Sequence, residues 1–112
     1  MKKIEAIIQP AKLEELKEAI DKNNVKGVTI TQVMGCGVTK GWTEVYRGTE
    51  VFLNVLPKVL VMIVVPDEKV DDIVNLIITT CRTGEFGDGK IFISDVSRAI
   101  RIRSREEGDQ VL

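Results

Sequence analysis

Gly35-Cys36-Gly37-Val38-Thr39-Lys40-Gly41-Trp42-Thr43-Glu44-Val45-Tyr46-Arg47-Gly48-Thr49-Glu50-Val51-Phe52-Leu53-Asn54-Val55-Leu56-Pro57 separates two stretches that repeat one pattern, and that division decides the fold. The segment keeps neither a helical nor a strand period for long and carries glycines at 35, 37, 41 and 48. A connection this long inside a compact domain is usually functional or disordered. Trp42, Tyr46, Arg47, Phe52 and Leu53 are contact residues, unlike the Ser, Gly, Pro and Lys of linkers. They favour a contact loop; a long hairpin that finishes the core is the competing reading.

Before this segment, Lys2 to Gln9 alternates Ile4, Ala6 and Ile8 against Lys3, Glu5 and Ile7, which predicts a strand. Pro10 suits the first position of a helix, where its missing N–H costs nothing. Leu13, Leu16, Ala19 and Ile20 follow at helical spacing until Asn23-Asn24 and Gly27 stop it. Val28 to Met34 is β-branched and alternating, a second strand. After the segment the pattern returns. Lys58 to Val65 is a nearly unbroken apolar run, the signature of a central strand buried on both faces. Pro66-Asp67 opens a helix with Asp67 as its cap. Val70, Ile73, Val74 and Ile77 form its inner stripe, Gly84 ends it, and Lys90 to Asp95 is the fourth strand. Two βαβ halves sharing one antiparallel sheet, with both helices on one face, make an α+β ferredoxin-like sandwich.

The 112 residues predict one domain. A net charge of -1 provides no global field for nucleic acid or an acidic membrane. No apolar run reaches the roughly 18 residues of a spanning helix. Met1 to Glu5 turns acidic too soon for a signal peptide. Cys36 and Cys81 have no metal spacing, and the chain lacks His, so no metal site is expected and both thiols are read as reduced, in the cytoplasm. The missing His also removes the commonest general base.

Two further stretches carry chemistry. In Thr83-Gly84-Glu85-Phe86-Gly87-Asp88-Gly89-Lys90, Gly87 and Gly89 let backbone N–H groups turn toward one anion, with the Lys90 charge beside them. Alone, Gly-Asp-Gly-Lys fits an ordinary tight turn equally well. Ile100-Arg101-Ile102-Arg103 alternates; extended, it puts both arginines on one face. That describes either an edge strand protected from aggregation or an anion site. Several anion-compatible elements in one chain favour a phosphate-rich ligand. The polar, acidic tail from Ser104 is expected to be mobile.

Residues 40–48 through Leu56-Pro57-Lys58 resemble the T-loop of the PII signal-transduction proteins. Thr83 to Phe92 is similar to that family's B-loop signature, and Ala99 to Arg103 to its C-terminal strand. The likeness runs over essentially the whole chain and divides the single domain, residues 1–112, into a T-loop (36–56), a B-loop (82–90) and a C-terminal strand and tail (99–112). It implies a homotrimer with a nucleotide in each cleft between neighbours, where ATP and ADP compete as effectors, with or without Mg. It implies that Thr29, Gly37, Val38 and Val64 lie against the adenosine or its approach. Gly87, Asp88, Gly89, Lys90, Arg101 and Arg103 would surround the phosphates. Trp42, Tyr46, Arg47 and Phe52 would present the T-loop to a membrane transporter or a metabolic enzyme, in nitrogen or energy regulation; no nucleic acid is implied.

The departures from that pattern are specific. Thr39 stands where the family has a glutamine that helps hold Mg-bound 2-oxoglutarate. Lys58 is then left as a residual anion contact, and 2-oxoglutarate is expected to bind weakly or not at all. Val51 replaces the tyrosine that many members carry as a nucleotidylylation target; Tyr46 and Thr49 are the hydroxyls left nearby. Val38, Met62, Glu85, Phe86 and Cys36 also differ from the family's usual residues. The competing functions are a structural trimer resembling the CutA proteins, without nucleotide sensing, and a small phosphate-transferring enzyme. The first is opposed by the retained glycines, lysine and arginines, and the second by the lack of an acid/base pair.

Overall fold

Alternation along β1 (Lys2–Ile8) buries Ile4, Ala6 and Ile8 and leaves the residues between them half-exposed. In this computed structural model the described residues are 1–36, 43–46, 49–52 and 55–112, with only the backbone described for 43–46 and 49–52. A single 3-10 turn at Pro10–Lys12 leads into α1 (Leu13–Lys22), whose Leu16 and Ile20 face inward. The Asn23 amide donates back to the Ala19 carbonyl at 2.7 Å, and Asn24 adopts φ +57. Left-handed backbone at an asparagine is a usual helix stop. β2 (Thr29–Cys36), β5 (Val55–Val65), α2 (Val70–Cys81) and β6 (Lys90–Asp95) complete the two βαβ halves.

The sheet order is β2-β5-β1-β6 and every neighbouring pair is antiparallel. Register sets the faces: Ile4 opposes Ile63, Ala6 opposes Val61 and Ile8 opposes Val59. These pack with Leu16, Ile20, Ile73, Ile77 and Cys81 of the helices into one core. The architecture is the ferredoxin-like sandwich expected from the repeat. The opposite face carries Ile7, Leu60, Met62 and Val64, all half-buried, and Phe92, 53% exposed. The run Val59–Val65 is therefore buried on one face of the single chain, not on both, because the two helices cover only one side of the sheet.

Four local expectations are corrected. The 35–57 segment is not aperiodic: β3 (Thr43–Tyr46) and β4 (Thr49–Phe52) pair as a separate two-stranded sheet. Below it, β2 and β5 run on as a stem through Gly35↔Leu56 and Cys36↔Val55. Asp67 does not cap α2; its carboxylate instead accepts from the Met1 amine at 2.8 Å. The strand expected at 99–103 is replaced by a turn. Ile100 makes one bridge with Glu107, and the Arg105 N–H donates to the Arg101 carbonyl at 2.8 Å. The tail folds back through a 3-10 turn at Asp109–Val111 and ends half-buried.

Candidate functional site

The turn between α2 and β6 is built around glycines with left-handed backbone, Gly84, Gly87 and Gly89. Gly89 has a second reason to lack a side chain. A Cβ there would stand 1.6 Å from the Ile7 carbonyl oxygen, so the turn lies directly on β1. The Asp88 carboxylate ties the turn to the end of α2. It accepts from the Thr83 N–H at 2.9 Å, the Thr83 hydroxyl at 2.5 Å and the Gly84 N–H at 3.0 Å. Asp88, expected among phosphate ligands, thus organises the turn with its side chain. The Gly87 carbonyl accepts from Gln9 Nε2 at 2.7 Å and Lys58 Nζ at 3.0 Å. Lys58 is only 9% exposed, and its chain passes beneath Gly35, where a Cβ would be 3.1 Å from Lys58 Cγ. The turn and the base of the stem therefore meet at one lysine.

These bonds hold the Asp88 carboxyl below its ordinary value of 3.8, the Thr83 hydroxyl first, then the Thr83 and Gly84 N–H groups. A lowered folded-state pKa stabilises the turn above the unfolded value and loses that stabilisation as pH falls through the folded value. An NMR titration of the Asp88 carboxyl carbon is expected to give a midpoint below 3.8, which Thr83→Ala moves upward. A midpoint that Thr83→Ala leaves in place would contradict this account.

A second group gathers at the other end of the sheet. Thr29, Met62, Val64 and Arg101 line a cavity of about 560 Å3, closed on one side by Asp109 to Leu112. The Arg101 guanidinium donates to Glu106 at 3.0 Å and to the Gln110 carbonyl at 3.4 Å. Arg103 is exposed beside Ile102, which is 97% exposed. Glu106, which sequence reasoning missed, is thus the partner of Arg101; its only sequence signal was being an acid near two arginines.

The two groups do not meet within one chain. Lys90 opposes Ile7 on β1, whereas Val64 opposes Lys3. Four residues along a strand separate them by about 13 Å, far beyond the reach of one hydrogen-bonded phosphate. Gly37, Val38, Thr39, Trp42 and Arg47 lie outside the described residues, and the side chains of Tyr46, Thr49, Val51 and Phe52 are not described. Among the described residues no group of His, Cys, Asp and Glu could hold a metal ion, and no helix is long and apolar enough to cross a membrane.

The ferredoxin-like sandwich thus carries a stem-and-hairpin insertion between its halves, with a glycine turn anchored under that stem. The model of the family described as nitrogen regulatory protein P-II matches residues 1–106. The chain is 53% identical over 112 residues to nitrogen regulatory protein P-II 1 of Escherichia coli (strain K12), covering 100% of both chains. It is 51% identical to nitrogen regulatory protein P-II of Haemophilus influenzae and 52% to that of Klebsiella oxytoca, again over 100% of each chain. The chain belongs to the P-II family of nitrogen regulatory proteins. These are signalling proteins and not enzymes, which sets aside both the phosphate-transferring reading and the purely structural trimer.

Proposed function

We propose that this protein senses adenine nucleotides at clefts between copies of itself and controls a partner through its T-loop. The observation that carries this reading is the separation of the two anion-compatible groups. The glycine turn with Lys90 and the cavity with Thr29, Val64 and Arg101 sit at opposite ends of β1. A neighbouring copy could supply the missing half to each. The half-exposed apolar face of Ile7, Leu60, Met62, Val64 and Phe92 supports assembly, because a small domain gains by covering such a surface. A closed threefold ring, as the family resemblance implies, would hold three equivalent clefts.

In this reading ATP and ADP compete for each cleft. Gly37, Val38, Thr29 and Val64 approach the adenosine; Gly87, Asp88, Gly89, Lys90, Arg101 and Arg103 approach the phosphates. The nucleotide sets the shape of the loop base, residues 35–38, and so the way Trp42, Tyr46, Arg47 and Phe52 meet a transporter or metabolic enzyme at the cytoplasmic side. Val51 offers no hydroxyl for nucleotidylylation, so the nucleotide alone switches the loop. A tenfold change in partner affinity requires about 1.4 kcal/mol of coupling, within the range of one charge-assisted contact.

Calorimetry is expected to detect ATP and ADP binding, and sedimentation a mass of three subunits. Replacing Lys90 or Arg103 by Ala should weaken binding by about 1.5–3 kcal/mol. Adding 2-oxoglutarate with Mg-ATP should produce little further heat, since Lys58 already serves the Gly87 carbonyl; Thr39→Gln should increase it. Absence of heat with either nucleotide at millimolar concentration, or a monomeric mass, overturns the proposal.

A further inference from the structure

Two donors far apart in the sequence converge on one oxygen of the glycine turn. Gln9, immediately after β1, donates to the Gly87 carbonyl at 2.7 Å, and Lys58, on β5, donates to it at 3.0 Å. A carbonyl oxygen has two lone pairs, and both are used here. The peptide that follows is planar and trans, so its N–H points opposite to its C=O. Holding the Gly87 carbonyl inward against Gln9 and Lys58 therefore aims the Asp88 N–H outward, away from the sheet. The Asp88 side chain does not occupy that direction for itself, because it is bonded to Thr83 and Gly84.

Without the two donors this orientation has little to hold it. Gly87, at φ +97, has no Cβ to oppose rotation of the peptide, and a glycine visits both signs of φ with similar ease. A flipped peptide would present a carbonyl oxygen, which repels an anion where an N–H attracts it. We propose that Gln9 and Lys58 are positioning residues: they hold the 87–88 peptide so that the Asp88 N–H faces a phosphate. The inference rests on the nucleotide reading above. It gives Lys58 a role that needs no dicarboxylate ligand, and it assigns Gln9 a role in binding.

Gln9→Met is the clean test, because it removes the donor, keeps the length and changes no charge. ATP and ADP affinities should fall about tenfold, while the thermal midpoint stays near that of the wild type. In 15N spectra of the full-length protein, the Asp88 amide of the wild type should shift when ATP is added. In Gln9→Met that shift should be smaller, and the amide should exchange faster in the free protein. Lys58→Met provides a second variant should Gln9→Met fold poorly, and is expected to change the Asp88 amide in the same direction. Wild-type ATP binding that both variants retain within about twofold, with an unaltered Asp88 amide, overturns the inference and leaves the nucleotide reading standing. A wild type that binds no ATP overturns that reading and the inference with it.

Discussion

Gly89→Ala is expected to destabilise the protein by about 3–5 kcal/mol, a large share of what a domain of this size possesses. The new Cβ would fall 1.6 Å from the Ile7 carbonyl oxygen and 2.8 Å from its carbon. Both atoms are backbone, so no rotamer change relieves the clash. β1 cannot retreat, because it is paired with β5 on one side and β6 on the other. The residue also sits at φ +101, where an L side chain adds about 1–2 kcal/mol of strain. Gly84→Ala separates the two effects. At φ +88 it meets nothing within 4 Å, so it should cost only the backbone part, about 1–2 kcal/mol. Urea unfolding of both variants at equal protein concentration is the measurement. Equal costs for Gly84→Ala and Gly89→Ala would show that the turn does not lie on β1.

The second large effect is a rescue. Lys90→Ala and Arg101→Ala should each abolish most nucleotide binding, yet a refolded mixture of the two should regain part of it. In a threefold ring, a cleft drawing Lys90 from one copy and Arg101 from the next is intact only when each copy keeps the residue it supplies. Every mixed ring holds one such cleft, and about three quarters of randomly assembled rings are mixed, so about a quarter of wild-type capacity should return. Removing Arg101 also frees Glu106, its partner at 3.0 Å. That pair is exposed, so its loss costs little stability. Titration of the equimolar mixture with ATP gives the number of restored sites directly. No recovery above the two parents would place both residues in a single copy's site and contradict the shared cleft.

Much of the fold was legible in local patterns. The period-two alternation of Ile4, Ala6 and Ile8 placed β1, and Lys90 to Asp95 was located to the residue. A hairpin within the long segment was only the competing reading, and as part of the core, although the signal for a separate one was present. Thr43-Glu44-Val45-Tyr46 and Thr49-Glu50-Val51-Phe52 repeat a β-branched and aromatic pattern, but four residues are too few for a period to stand out. The arginine alternation at 100–103 misled for the same reason, because a two-residue period over four positions does not distinguish a strand from a turn. There Arg101 takes Glu106 as partner and the chain reverses.

By itself the sequence determined the order of strands and helices, the division into two halves and the glycines available for left-handed backbone, since each depends on neighbouring residues and the helical or strand period. It could not say which carbonyl Gln9 would bind, why Gly89 must lack a side chain, or that Lys90 and Arg101 would stand at opposite ends of the sheet. Those are contacts between residues 78 and 29 positions apart, as Gln9 and Lys58 are from Gly87, and between strands brought together by sheet order. No local period records such a meeting, because it arises only when the chain closes its core and the register of β1 against β5 and β6 sets which atoms face each other.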